Sequence, residues 1–125
     1  MSNLNISEIK SFVPSKDFDT SQRFYQALGF EVASVFGDVA YLKSGNHAFL
    51  LQNYYNVEHA NNSMMHLLVE DAASWFDHVQ SSGIEIEFDC KVTELTSLPW
   101  GGLEFCVIDP SGVLWRIAQN IREEK

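Results

Sequence analysis

Apolar positions along this chain follow two different periods. In Asp71 to Ile84, DAASWFDHVQSSGI, the residues Ala72, Trp75, Phe76 and Val79 stand at i, i+3, i+4 and i+7. That spacing draws one stripe along an α-helix. Asp71 is placed to cap it, because a carboxylate accepts from the orphan N–H groups of a first turn. Gly83 supplies a left-handed C-cap without a Cβ clash. The stretch Asp17 to Phe30, DFDTSQRFYQALGF, repeats the arrangement 54 residues earlier: an Asp, an aromatic pair (Phe24-Tyr25 against Trp75-Phe76) and a Gly twelve residues after the Asp. Asp17 reads as a cap, and Asp19 and Gln22 have capping-box spacing. Such self-similarity marks an internal duplication.

Short apolar runs surround both helices and predict strands. Ile9 to Val13 precedes the first helix. Phe30 to Phe36, Val39 to Lys43 and Ala48 to Tyr54 follow it, separated by the turns Gly37-Asp38 and Ser44-Gly45-Asn46. Met64 to Val69 precedes the second helix. Ile84 to Phe88, then a longer loop, Leu103 to Ile108 and Val113 to Ala118 follow it, the last two joined by Asp109-Pro110-Ser111-Gly112. Pro presets φ in such turns and Gly accepts positive φ. The expected fold is α+β, with βαβββ written twice in one domain over residues 1–125. Module 1 covers about residues 7–55, a polar linker 56–63, and module 2 about 64–121. Ile121 to Lys125 reads as a frayed tail.

Composition narrows the function classes. Of 125 residues, 46% are hydrophobic, enough for one core and no separate cofactor domain. Lys and Arg number 8 against 17 Asp and Glu, a net charge of −9. So acidic a chain repels phosphate backbones and anionic membranes, and it draws in cations. Cys90 and Cys106 have no CxxC spacing, which excludes a disulfide framework and fits a reducing cytoplasm. Met1 to Asn5 has no basic or apolar signal region, and no apolar run approaches membrane length. A soluble cytoplasmic protein is expected.

The stretch Val13 to Phe30, VPSKDFDTSQRFYQALGF, and the closing DPSGVLWRI, Asp109 to Ile117, resemble the vicinal-oxygen-chelate superfamily of glyoxalases, extradiol dioxygenases and bleomycin resistance proteins. Within it the chain is most similar to the bleomycin resistance proteins, through Pro14 to Asp19, the loop Pro99-Trp100-Gly101-Gly102 and the ending Arg116 to Asn120. The resemblance implies paired modules forming curved sheets, a homodimer, and ligand crevices lined by both chains. Metalloenzymes of the superfamily place ligands at points that here hold Lys10, Leu50, Met64 and Arg116. Two cations and two apolar side chains do not suit a divalent ion. No metal, no cofactor and no catalytic residue are therefore expected. His66, two residues after Met64, is the one candidate for a displaced metal site. His47, His59 and His78 read as solvated surface.

Strand parity puts Lys10 and Phe12, Ala48, Leu50 and Gln52, Met64, His66 and Leu68, and Leu114, Arg116 and Ala118 on inward positions. Arg116 needs a partner there, either Glu104 or a ligand. Trp100, beside Pro99 and followed by Gly101 and Gly102, is either a ligand-stacking ring or a plug on the sheet. The resemblance places this loop at the drug groove. The bleomycin binders carry rings at the points matching Ser34 and Val39; here Phe36 and Tyr41 stand nearby instead, which departs from the pattern for bleomycin itself. The expected function is antibiotic resistance by metal-free binding of a small molecule, bleomycin-like or another cationic aromatic, without nucleic acid or membrane partners. The candidate ligand residues are Phe12, Phe36, Tyr41, Leu50, Gln52, Met64, His66, Trp100, Gly101, Gly102 and Arg116. A metal-dependent lyase or dioxygenase and a binding module for an unrelated metabolite are the rival expectations.

Overall fold

The computed structural model describes residues 2–120. The end of module 2 at residue 121 and the tail Ile121 to Lys125 lie outside them. The first sheet has the order β1-β4-β3-β2, from β1 (Phe12–Pro14), β2 (Glu31–Phe36), β3 (Val39–Ser44) and β4 (His47–Gln52). The second has the order β5-β9-β8-β6, from β5 (Met64–Leu68), β6 (Lys91–Val92), β8 (Leu103–Ile108) and β9 (Leu114–Gln119), with β7 (Thr96–Ser97) also pairing β8. In each sheet the strand before the helix runs parallel to the last strand of its module: β1 to β4 and β5 to β9. The rest of each sheet is antiparallel. This is the expected α+β duplication.

Both helices begin at the Asp that the repeat marks. Thr20 N donates to Asp17 Oδ1 at 3.0 Å, starting α1 (Phe18–Leu28), and Ser74 N donates to Asp71 Oδ1 at 3.0 Å, starting α3 (Ala72–Ser82). Asp17 is therefore the cap, and Asp19 belongs to the first turn rather than opening a capping box. Gly83 adopts φ 73°, the left-handed conformation that glycine enters without penalty.

Several elements differ from the sequence expectation, among them the short strands β6 and β7 inside the stretch read as a longer loop. Ile84 to Phe88 is not a strand: α4 (Ile84–Glu87) closes with Phe88 N donating to Ile84 O. The alternation I-E-I-E-F imitates a strand, but Ile84 and Phe88, four apart, are buried while Ile86 is exposed. The polar linker contains α2 (Val57–Asn62), capped by Asn56, whose side chain accepts from His59 N at 3.0 Å. The first strand begins at Phe12 instead of Ile9, so the arm before it is unpaired along most of its length. His78 lies at the exposed surface, as expected, and its ring is also held against α1. Its Nε2 lies 3.0 Å from Ala27 O and 3.1 Å from Leu28 O, at the carbonyl end of α1.

The core is an aromatic box at the seam of the modules. Trp115, from β9, packs among Tyr25, Phe30 and Phe49 of module 1, with ring centroids 5.2–5.7 Å apart in edge or tilted geometry. Such pairs add about 0.5–1.5 kcal/mol each beyond area burial. A buried polar chain runs through the box. Trp115 Nε1 donates to Tyr25 Oη at 2.8 Å, and the Tyr25 hydroxyl donates to the Asp109 carboxylate. Asp109 Oδ1 also accepts from Ser111 N and Val113 N, each at 2.9 Å. Lys16 N reaches back to Ser111 Oγ at 2.7 Å. Burial raises the Asp109 pKa against the opposing pull of these hydrogen bonds. It also raises that of Tyr25, with the Asp109 charge adding to the effect.

Candidate functional site

Strand pleating gives each sheet two faces. Val13, Phe49, Leu51, Trp115 and Ile117 face the core and are buried. Their chain neighbours Phe12, Leu50, Gln52, Leu114 and Arg116 therefore point to the opposite, outer face. The parity assigned in sequence holds, but it marks the outer face and not a closed interior. Ala118 is buried even so.

Cross-strand register gathers the candidate residues into rows. On the first sheet, Phe12 pairs Leu50, Leu50 pairs Tyr41, and Tyr41 pairs Ser34. The adjacent row is Pro14, Gln52, Val39 and Phe36. Tyr41 and Phe36 thus lie directly across from Ser34 and Val39, on the same face as those two positions. A bulge between Val32 and Ser34 makes this possible, since it resets the parity of β2 in mid-strand. The register places a ring beside each point where one was missing. Phe36 is 90% exposed and Phe12 50%.

On the second sheet His66 pairs Arg116, and Arg116 pairs Cys106; Met64 pairs Leu114 in the adjacent row. Arg116 has found its internal partner. Its Nε donates to Glu104 Oε2 at 2.8 Å and its Nη2 to Glu104 Oε1 at 3.0 Å, a two-pronged pair. Glu104 raises the Arg116 pKa, by hydrogen bond first and charge second. Met64 is 56% exposed.

Trp100 is 62% exposed, as a groove-rim ring would be. Its six-membered ring folds onto Gly102. A Cβ at Gly102 would come within 2.4 Å of that ring and 2.9 Å of the Gln119 carbonyl, so the glycine is required by the close approach of Trp100 itself. Gly101, at φ 102°, turns the chain to allow it.

The four superfamily ligand points do not fit a divalent metal. Lys10 Nζ is paired to Glu8 at 2.7 Å, Arg116 is held by Glu104, and Leu50 and Met64 offer no hard donor. Among the described residues, no three His, Cys, Asp or Glu side chains are grouped to hold a metal. His66 has Arg116 and then Cys106 as its neighbours in the row, a poor setting for a displaced site. Burial pushes the Cys90 thiol up to about 11 and raises that of Cys106, so neither is poised as a nucleophile.

A cavity of about 650 Å3 lies elsewhere, between the starting half of β4 and β5, with Phe49, Trp75 and Trp115 in its wall. Of the candidate residues only His66 lines it. Sequence reasoning missed it, because it arises from a strand that stops short and not from any motif.

Paired βαβββ modules define the class, and the chain belongs to the Glyoxalase/Bleomycin resistance protein/Dioxygenase superfamily, whose model matches residues 6–117. Among individual relatives, it is 29% identical to a bleomycin resistance protein of Klebsiella pneumoniae, over 86% of this chain and 88% of that protein. Its structure is similar to that of a bleomycin-binding protein complexed with bleomycin, at TM-score 0.78 and 25% identity, covering 93% of this chain and all of that one. It is also similar to a bleomycin resistance determinant encoded on transposon Tn5, at TM-score 0.77 and 24% identity, covering 92% and 99%. No helix among the described residues is long and apolar enough to cross a membrane.

Proposed function

We propose that the protein is a metal-free binder of the bleomycin-resistance type. It sequesters a flat, cationic toxic compound in a groove closed between two copies of the chain, and it does no chemistry on it. The observation that carries this reading is the cluster of rings on one sheet face, exposed Phe12 and Phe36 with half-buried Tyr41 across two adjacent rows, together with the rim ring Trp100. Rings at such positions stack flat heteroaromatics and attract cations. The net charge of −9 steers the same ligands. A second copy is part of the reading because a single chain leaves Phe12, Met64 and Leu68, and the arm residues Leu4, Ile6 and Ile9, in water. Sedimentation is expected to show a dimer at micromolar concentration.

Calorimetric titration with bleomycin tests the proposal. Saturable binding near one ligand per chain is expected, and heat-stability measurements should show about 2.7 kcal/mol of stabilisation at a hundredfold excess over Kd. Trp100→Ala should weaken binding by about 1–3 kcal/mol, the range for a stacking anchor, and leave the unfolding midpoint nearly unchanged. The opposite pattern, a large stability loss with unchanged affinity, makes Trp100 a plug. No binding of bleomycin at all overturns the bleomycin-type reading.

A further inference from the structure

The cavity between the modules has a structural origin that can be traced. β1 pairs only with Leu50 to Gln52, and the last bond on that side is Leu50 N to Ser11 O. Upstream, no strand among the described residues lies beside His47 to Phe49 on that edge. β5 is the end strand of the other sheet. A slot of about 650 Å3 opens between these two edges. That size falls within the range of small-molecule sites. Its effect on packing is visible: Met65 and Leu67 on the core side of β5, and Trp75 on α3, are only half-buried, whereas Val107, Trp115 and Ile117 deeper in the same module are fully buried.

We propose that this slot is a second ligand site, separate from the outer-face groove and independent of its function, and that it takes a flat aromatic body carrying one cationic group. The wall includes half-buried Trp75 together with the nearly buried rings of Phe49 and Trp115, which suit an aromatic part. The rim supplies Glu70 and Asp71, and among the described residues no Lys or Arg lines the slot. An anion is not served equally well, although the start of α3 lies here. The donors of that first turn are already taken: Ala72 N by Gln119 Oε1 at 2.8 Å, and Ser74 N by Asp71 Oδ1 at 3.0 Å. The Ser74 N–H also holds the Asp71 carboxyl below its ordinary pKa, so its charge persists through neutral and mildly acidic pH.

The three tryptophans of the chain make the test direct, because two of them, Trp75 and Trp115, line the slot. In a Trp100→Phe background, emission reports the slot and the rim anchor of the outer groove is removed. The probes are biphenylmethylammonium, neutral biphenylmethanol and anionic biphenylacetate. A saturable emission change is expected with the cation, bound about tenfold more tightly than the anion. Glu70→Gln should narrow that preference by up to about fivefold while leaving the alcohol unaffected, as loss of one exposed charge contact does. Ser74→Phe should abolish all three responses by filling the slot, provided that it retains the parent melting temperature; the Glu70→Gln result stands without it. No saturable response, equal binding of cation and anion, or loss of the response as protein concentration rises would each overturn the proposal. The last result would mean that a second copy fills the slot. Bleomycin titration of the unmutated chain reads the outer groove, so the two sites fail separately.

Discussion

The two modules share a helix motif and use it differently. In module 1, α1 buries Phe24, Tyr25 and Leu28 completely, and Tyr25 passes through the seam to Asp109 and Trp115. In module 2, α3 buries only Ala72 and Val79 completely, and its aromatic pair Trp75-Phe76 stays half-buried. The leading strands differ in the reverse sense: β5 pairs β9 along five residues, whereas β1 pairs β4 along three. Module 1 thus has the anchored helix and the short strand, and module 2 the long strand and the loosely covered helix. The slot falls where the short strand of one meets the loose helix of the other.

The largest effect should come from breaking the anchored side. Trp115→Ala removes the ring that three module 1 aromatics surround and strips Tyr25 of a donor, so a loss of about 3–5 kcal/mol is expected in urea denaturation. Trp75→Ala, on the loose side, should cost less than half as much, because its ring already borders empty space. Equal losses would mean that the seam is no better packed than the slot.

Much of this contrast could not be read from the chain. The duplication, both Asp caps, the β2–β3–β4 hairpins and the alternation of faces along the strands (though not which face looks outward) were legible, because each rests on local chemistry: a carboxylate over a first turn, a glycine in a turn, a period of two. Two of the motifs that carried the family resemblance, the opening PSKD and FY and the closing DPSG, proved to be structural. Lys16 of the opening PSKD donates its backbone N–H to Ser111 of the closing DPSG, and Tyr25 meets Asp109. They report the seam and say nothing directly about a ligand. α4 was misread because Ile86, an exposed apolar residue, completes a false alternation. The bulge at β2 and the early end of β1 were invisible, since both depend on what a neighbouring strand offers.

The seam should also show itself through pH. Burial raises the folded-state pKa of Asp109 above its unfolded value near 3.8. Between those two values the folded state binds more protons than the unfolded one, so stability from this group falls as pH rises. The contribution is fully present below the unfolded pKa and is lost as pH climbs through the folded one. Asp109→Asn cannot titrate, so the stability of the unmutated protein relative to the variant should decline across that window and then level off. Denaturation curves at several pH values check it. A gap between the two that widens in favour of the unmutated protein would reverse the sign and place Asp109 as a carboxylate stabilised by its donors.

The smallest effect belongs to the outer face of module 2, where Arg116 and Glu104 form a two-pronged pair. Two properties of that pair pull apart. Its geometry is good, but the Arg116 side chain is 40% exposed and water screens its charge, so the pair contributes little to folding. Its effect on ligand choice is larger, because Glu104 neutralises the one guanidinium on the row shared with His66 and Cys106. Glu104→Gln should leave the urea midpoint close to that of the unmutated protein, well inside the change caused by Trp75→Ala. It should also free Arg116, so that affinity for an anionic aromatic rises and affinity for a cationic one falls. Titration with a matched anion and cation checks this. If stability drops as far as in the Trp75 variant, the pair is a structural element of module 2, and the outer face is less separate from the core than its rows indicate. If neither stability nor ligand preference moves, the row containing Arg116 lies outside the groove, and the rings of module 1 define the binding face without it.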